Sequence, residues 1–238
     1  MQPTTPAPAG PVRTEVWQLP IRGVEESALD PADLSEGERQ RIGRLAHAAD
    51  RVSYGAAHLA LRRLLGRRLN VRPADLEFFR EPCPCCDEPH GRPAVAGPTV
   101  PTHFSLSHDR DLVLIAVAAE PVGVDVEALP GAETVRNLAP ELHPAEEEEI
   151  ISDNYRPKTF ARIWTRKEAY LKGLGTGLGR ELNADYLGTR GLGPTPEGWT
   201  VTNFPTGAAH AAAAAVKAPG ASFHFSLLAP HFVSKDTA

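Results

Sequence analysis

Val122-Gly123-Val124-Asp125-Val126-Glu127 alternates three valines with a glycine and two acids. Strand side chains point to opposite faces in turn, so the valines share one face and Asp125 and Glu127 the other. The valine face belongs in a core. The acidic face carries two adjacent like charges, which repel unless a cation sits between them. Upstream, Leu112 to Ala119 is an unbroken apolar run, read as a buried strand, and Glu120-Pro121 turns the chain into the acidic strand.

A third carboxylate, Glu168, lies 41 residues beyond Glu127 in Trp164-Thr165-Arg166-Lys167-Glu168-Ala169-Tyr170-Leu171-Lys172. Trp164, Glu168 and Lys172 are spaced i, i+4, i+8 and share one helix face, with Lys167 about 100° round from Glu168. Alone, Glu168 and Lys172 would be an ordinary surface pair contributing a few tenths of a kcal/mol. Here the helix runs into Gly173-Leu-Gly-Thr-Gly-Leu-Gly179, a loop able to approach a ligand closely. Carboxylate oxygens with room for phosphate suit Mg²⁺ better than a transition metal.

Around this centre the pattern is mixed α and β. Strands are expected at Glu15 to Pro20, Leu76 to Phe79, Thr102 to Leu106, Trp199 to Phe204, His210 to Val216 and Ser222 to Leu228. The alanines at 211–215 favour helix by propensity, but flanking turns and the neighbouring strand at 223–228 favour strand. Leu34 to Leu69 is largely helical, opened by the capping box Ser35–Glu38, with a second helix from about Val52 to Leu69. Further helices are expected at Thr134 to Leu142, at Pro144 onward and at Lys158 to Lys172. Glu81 to Pro101 reads as a loop. Glu146 to Glu149 reads as a solvated helix start.

The 238 residues are 42% hydrophobic with a formal charge of −5, which argues against a nucleic-acid partner. Charge is uneven, with nine arginines and one acid between Arg39 and Arg72, a segment suited to anionic partners. No apolar run reaches the roughly 18 residues of a membrane span. Residues 1–12 read as a disordered Pro/Ala leader rather than a signal peptide. Three clustered cysteines make no disulfide framework, so a cytoplasmic protein is expected.

Two further motifs precede the acidic strand: Phe104-Ser105-Leu106-Ser107-His108 and the turn Gly91-Arg92-Pro93. His108 can be cationic beside a phosphate, and Arg92 can form a bidentate phosphate fork. The four motifs, in this order and at these distances, resemble 4′-phosphopantetheinyl transferases of the large, surfactin-synthetase-activating (Sfp) type, over about residues 35 to 190. The resemblance implies an α+β fold of two similar α/β subdomains related by pseudo-twofold symmetry, divided here as 13–121 and 122–238, with the active site in the cleft between them. It implies transfer of 4′-phosphopantetheine from coenzyme A to a serine of an apo acyl or peptidyl carrier protein, releasing 3′,5′-ADP. It also implies a monomer.

By the same resemblance, Asp125, Glu127 and Glu168 bind Mg²⁺. Glu168, Lys172 and His108 are the catalytic set, Glu168 acting as base directly or through a metal-bound water. Ser107, His108, Lys172 and Arg92 contact coenzyme A, and Arg39, Arg44 and Arg51 gather at its 3′-phosphate. Ser105 stands where the family usually has Asn, a change expected to matter little. The competing readings are another Mg²⁺-dependent phosphotransferase or phosphodiesterase, or a non-catalytic coenzyme A-binding homologue. Cys83-Pro84-Cys85-Cys86 with His90 could hold zinc. Its spacing is tighter than structural fingers use and no second Cys-x-x-Cys exists, so a metal-free loop is expected.

Overall fold

The apolar run and the acidic strand that follows it become neighbours in two different sheets. The computed structural model describes residues 12–235; the expected leader lies outside them except for Val12. In chain order the elements are β1 (Arg13–Pro20), α1 (Glu36–Arg44), α2 (Ala48–Leu69), β2 (Phe78–Arg80), β3 (Pro93–Val95), β4 (His103–Asp109), β5 (Leu112–Ala118), β6 (Val122–Ala128), α3 (Ala132–Leu138), α4 (Pro144–Ser152), α5 (Pro157–Leu174), β7 (Thr200–Phe204), β8 (His210–Val216) and β9 (Ser222–Leu227). The first sheet has the order β4-β5-β1-β9, the second β6-β8-β7, and β2 and β3 form a separate ribbon. This mixed α and β architecture is the expected fold class. Among the described residues no helix is long and apolar enough to cross a membrane.

Each sheet has a strand buried on both faces. In β5, Val113, Ile115 and Val117 pack under α2, while Leu112, Leu114 and Ala116 meet Val122, Val124 and Val126 of β6. In β8, Ala212 and Ala214 face that same inter-sheet layer, while Ala213 and Ala215 face α5. An alanine strand is therefore stable here despite its helix propensity: tertiary packing overrides a weak local preference.

Local signals set the helix ends. The Ser35–Glu38 capping box is formed. Asn70 stops α2 in the left-handed conformation, with φ of 54°. Pro157 opens α5 and Gly175 closes it at φ of 83°.

Some expectations change, and one strand pairing crosses the expected division. The helix expected from Val52 begins at Ala48, and β3 lies inside the expected loop 81–101. The expected division at residue 121 does not separate the backbone pairing. Strand β9 runs parallel to β1, from Arg13↔Ser222 to Gln18↔Leu227, and Phe232 and Val233 enter the core under the first sheet. Residues 222–233 thus complete the N-terminal half, because β1 offers them an open edge. Finally, Glu146 and Glu149 are fully buried rather than solvated. Glu146 pairs with the buried Lys167 at 2.8 Å. Glu149 accepts from Tyr186 Oη and from the backbone N–H groups of Thr189 and Arg190. These bonds satisfy charges that would otherwise be prohibitive to bury.

Candidate active site

Strand β4 presents a row of oxygen acceptors to the edge of β6. Ser105 Oγ accepts the Val124 N–H at 3.0 Å, Ser107 Oγ the Val126 N–H at 3.4 Å, and Asp109 Oδ2 the Ala128 N–H at 2.5 Å. Side chains at i, i+2 and i+4 of one strand thus replace the missing backbone ladder and fix β6 against the first sheet. Ser105, standing where the family usually has Asn, thus holds the acidic strand.

Helix α5 covers the other face of β6. Gly123 allows this approach: a Cβ there would overlap the carbonyl oxygen of Ala169. Asp125 and Glu127 therefore lie beneath the helix that carries Glu168 and Lys172. Asp125 is 2% exposed. Its Oδ1 accepts from Lys172 Nζ at 2.7 Å and Ser107 Oγ at 3.0 Å, and Lys172 Nζ also meets Ser107 Oγ at 3.0 Å. Asp125 Oδ2 is buried with no hydrogen-bond partner.

One cation therefore faces several acids. Burial, then the charges of Asp125 and Asp109, push Glu127 up to about 7. Burial, then Asp125, also raises Glu168, against the opposing pull of Lys172. Asp125 and Glu168 both act on Glu127, so the three acids repel one another across the gap between β6 and α5. An unpartnered buried oxygen beside two carboxylates that resist ionisation fits a divalent cation. The all-oxygen donor set suits Mg²⁺, which keeps several waters and shares its shell with phosphate.

Two cavities flank this centre. One, about 1120 Å³, is bounded by Ser53, His108, Asp109 and His210. The other, about 980 Å³, is bounded by Tyr54, His58, Arg92, Lys172 and Gly175. His108 Nδ1 is 3.0 Å from Ser53 Oγ. Burial, then the charges of His58 and Lys172, hold His108 below the usual imidazole range.

The expected basic residues divide. Arg92 reaches the second cavity, but its guanidinium donates to Glu81 at 2.7 and 2.9 Å and to the Gly173 carbonyl at 2.9 Å. Its fork is thus directed at protein, tying the β2–β3 loop to the end of α5. None of Arg39, Arg44 and Arg51 borders either cavity. Arg39 pairs with Glu36 and Arg51 with Glu26. Farther along, Arg62 pairs with Glu38, Arg63 with Asp30 and Asp33, and Arg72 with Asp75. Arg68 also pairs with Glu15. Acids outside the segment thus answer most of its arginines, which the segment's own composition does not reveal.

Several residues of the site carried no strong signal. Tyr54, His58 and Ser53 come from the buried side of α2. Asp109 had a readable cue, the period-2 polar series Ser105, Ser107, Asp109.

A family model described as the 4′-phosphopantetheinyl transferase superfamily matches residues 121–213, the segment holding all three carboxylates and Lys172. The 4′-phosphopantetheinyl transferase HetI of Nostoc sp. is 31% identical over 172 residues, spanning 69% of this chain and 70% of that protein. The 4′-phosphopantetheinyl transferase gsp of Aneurinibacillus migulanus is 26% identical over 161 residues, 66% of this chain and 62% of that protein. A 4′-phosphopantetheinyl transferase of Bacillus subtilis is 25% identical over 169 residues, 69% of this chain and 70% of that protein. Sequence similarity and the family match agree with the order of the motifs, and the chain belongs to the 4′-phosphopantetheinyl transferase superfamily of enzymes.

Proposed function

We propose that the protein is an Sfp-type, Mg²⁺-dependent enzyme that transfers 4′-phosphopantetheine from coenzyme A to a serine hydroxyl of an apo carrier protein. The carrier is an acyl or peptidyl carrier of fatty-acid, polyketide or nonribosomal-peptide assembly, and the setting is cytoplasmic. The observation that carries this reading is the unpartnered buried oxygen of Asp125 beside Glu127 and Glu168.

Mg²⁺, held by Asp125, Glu127 and Glu168, would supply positive charge beside the coenzyme A pyrophosphate. The serine oxygen forms a bond to the phosphorus next to the pantetheine arm, and the pyrophosphate bond breaks to release 3′,5′-ADP. Glu168 accepts the serine proton; its raised pKa brings its basicity closer to the working pH. Lys172 and His108 donate to phosphate oxygens, where the leaving group gains charge. Lys172 is 34% exposed in the cavity wall, which supports that role. Ser107 holds both Lys172 and Asp125 in register.

The test is incubation with coenzyme A, Mg²⁺ and apo carrier proteins of each class, read by intact mass. The carrier gains one phosphopantetheine, and the gain is lost with chelator or in Asp125→Ala. No gain with any carrier beside an active control enzyme refutes the function, and full activity in Asp125→Ala removes Asp125 from the metal site. For carrier docking, Arg67 and Arg68 are the exposed arginines of α2, Arg67 lying over the Phe232 ring and Arg68 pairing with Glu15 at 3.0 Å. Reversing both to Glu raises the apparent KM for the carrier if they dock it and leaves it unchanged if they do not.

A further inference from the structure

The loop between β2 and β3 gathers all three cysteines of the chain. Cys83 is buried, Cys85 and Cys86 are exposed, and all three are free thiols. Nothing in the transfer chemistry uses them. Yet the sulfurs of Cys83 and Cys86 and a ring nitrogen of His90 all lie within 4.8 Å of one another. Cys86 Sγ is 3.1 Å from His90 Nε2. Tetrahedral zinc with sulfur at about 2.3 Å and nitrogen at about 2.0 Å separates its ligand atoms by about 3.5 to 3.8 Å. Small side-chain movements bring the three into that range.

The backbone is already folded for this. The N–H groups of Cys86 and Asp87 both donate to the Cys83 carbonyl, at 3.3 and 2.8 Å. Asp87 then takes a left-handed φ of 61°, which reverses the chain. The N–H groups of Cys83 and His90 both donate to the Glu88 carbonyl at 2.8 Å, closing the return. The amides of Cys85 and Cys86 also face the Cys83 sulfur. Spacing alone argued against a metal because only three residues lie between Cys86 and His90. The reversal at Asp87 removes that objection by bringing the imidazole back over the second thiol. Cys85 Sγ neighbours the Cys83 thiol but lies outside the three-atom group, 4.0 Å from the Gly179 carbonyl.

We propose that Cys83, Cys86 and His90 bind one zinc ion, with solvent in the fourth position, as a clamp on the loop that carries Arg92. The loop matters to the site next door. Glu81 and Arg92 close its base through the Glu81 N–H to Arg92 carbonyl and Gly91 N–H to Glu81 carbonyl bonds, both 2.9 Å. Arg92 then holds the Gly173 carbonyl at the end of α5, one residue beyond Lys172. A zinc-closed loop therefore steadies the helix end that presents Lys172. The proposal is independent of the transfer activity, because metal content reads it directly.

The experiment measures zinc per chain in full-length protein purified without chelator, then repeats it on Cys86→Ser, His90→Ala and Cys85→Ser. Cys86 and His90 are exposed, so their variants keep the fold. About one zinc per chain is expected in the wild type and in Cys85→Ser, falling to about a tenth or less in the other two. Cobalt substituted into the wild type shows thiolate-to-metal charge-transfer absorption that Cys86→Ser weakens. A wild type that neither carries zinc nor retains one equivalent after zinc addition and desalting overturns the proposal. So does full zinc in a Cys86→Ser/His90→Ala double variant, which would assign the ion to another site. Loss of zinc in Cys85→Ser overturns the three-ligand assignment.

Discussion

Glu127→Gln should stabilise the metal-free protein, by an amount that grows as pH rises from 4.5 to about 7. In the folded chain Glu127 is pushed from its ordinary 4.5 up to about 7, first by burial and then by Asp125 and Asp109. The folded state therefore holds this proton until about pH 7, whereas the unfolded chain releases it near 4.5. Between those values the folded state binds more protons, so the stability contribution falls as pH rises. A rise from 4.5 to about 7 corresponds to about 3 kcal/mol lost by pH 8. Glutamine mimics the protonated acid and carries no such loss. For a domain of this size about 1 kcal/mol moves Tm by about 2–4 °C, so the variant should melt about 6 °C or more above the wild type at pH 8. At pH 5 the difference should shrink to about 2–3 °C. The assay is thermal unfolding of both proteins in EDTA at the two pH values; other titrating groups cancel in the comparison. Adding Mg²⁺ at pH 8 should raise the wild-type Tm and move the variant little. Equal Tm differences at pH 5 and pH 8 would refute the claim that burial and the neighbouring acids hold the Glu127 proton.

Lys172→Met should lower transfer by about 10²–10³-fold, read as kcat with saturating carrier, because it removes a charge donor aimed at the phosphates; an unchanged kcat would exclude that role. Lys167→Met leaves Glu146 buried and unpaired and should cost about 3–5 kcal/mol in urea unfolding. Loss below 1 kcal/mol would show that the pair is not buried as described. For Glu38, burial favours the protonated form, but hydrogen bonds from His58, Arg62 and Ser35 outweigh it and bring the group down to about 2. Its stabilisation is thus complete above pH 4.5 and lost as pH falls toward 2, by about 3 kcal/mol. Glu38→Gln should flatten that acid limb in denaturant titrations, and an unaltered limb would dismiss the assignment. Gly123→Ala should cost about 1–3 kcal/mol or more by forcing α5 off β6; wild-type stability and activity would contradict so tight an approach.

What could be read in the sequence depended on whether the signal was local. The period-2 alternation of residues 122–127 requires only strand geometry, and β6 has the expected valine and acid faces. The face of α5 bearing Glu168 and Lys172 follows from helical spacing alone. The capping box at Ser35 and the stop at Asn70 are equally local. The misread charged side chains meet partners that lie far along the chain. Glu146 and Glu149 look like a solvated first turn until Lys167 and Tyr186 arrive from later in the chain. Arg51 and Arg63 look like a phosphate-seeking surface until Glu26, Asp30 and Asp33 answer them. The return of β9 to β1 has no sequence cue, because a strand's pattern names its face and not its partner.

These nonlocal contacts explain why the electrostatic tension persists at the site. An exposed pair of acids on a strand would relax by turning into water. Here Asp125 cannot turn, because Ser107 and Lys172 hold one oxygen and burial isolates the other. Nor can α5 rotate away to release Glu168. On one side its backbone lies against Gly123, and on the other the buried Lys167 is held by Glu146 and the carbonyls of Leu182 and Asp185. Strand β6 cannot slide, because three side-chain oxygens of β4 hold its N–H groups. With strand, helix and carboxylate all fixed, the repulsion can be relieved only by a proton or a cation. At pH values above about 7 Glu127 gives up its proton, and a divalent cation is then the remaining partner.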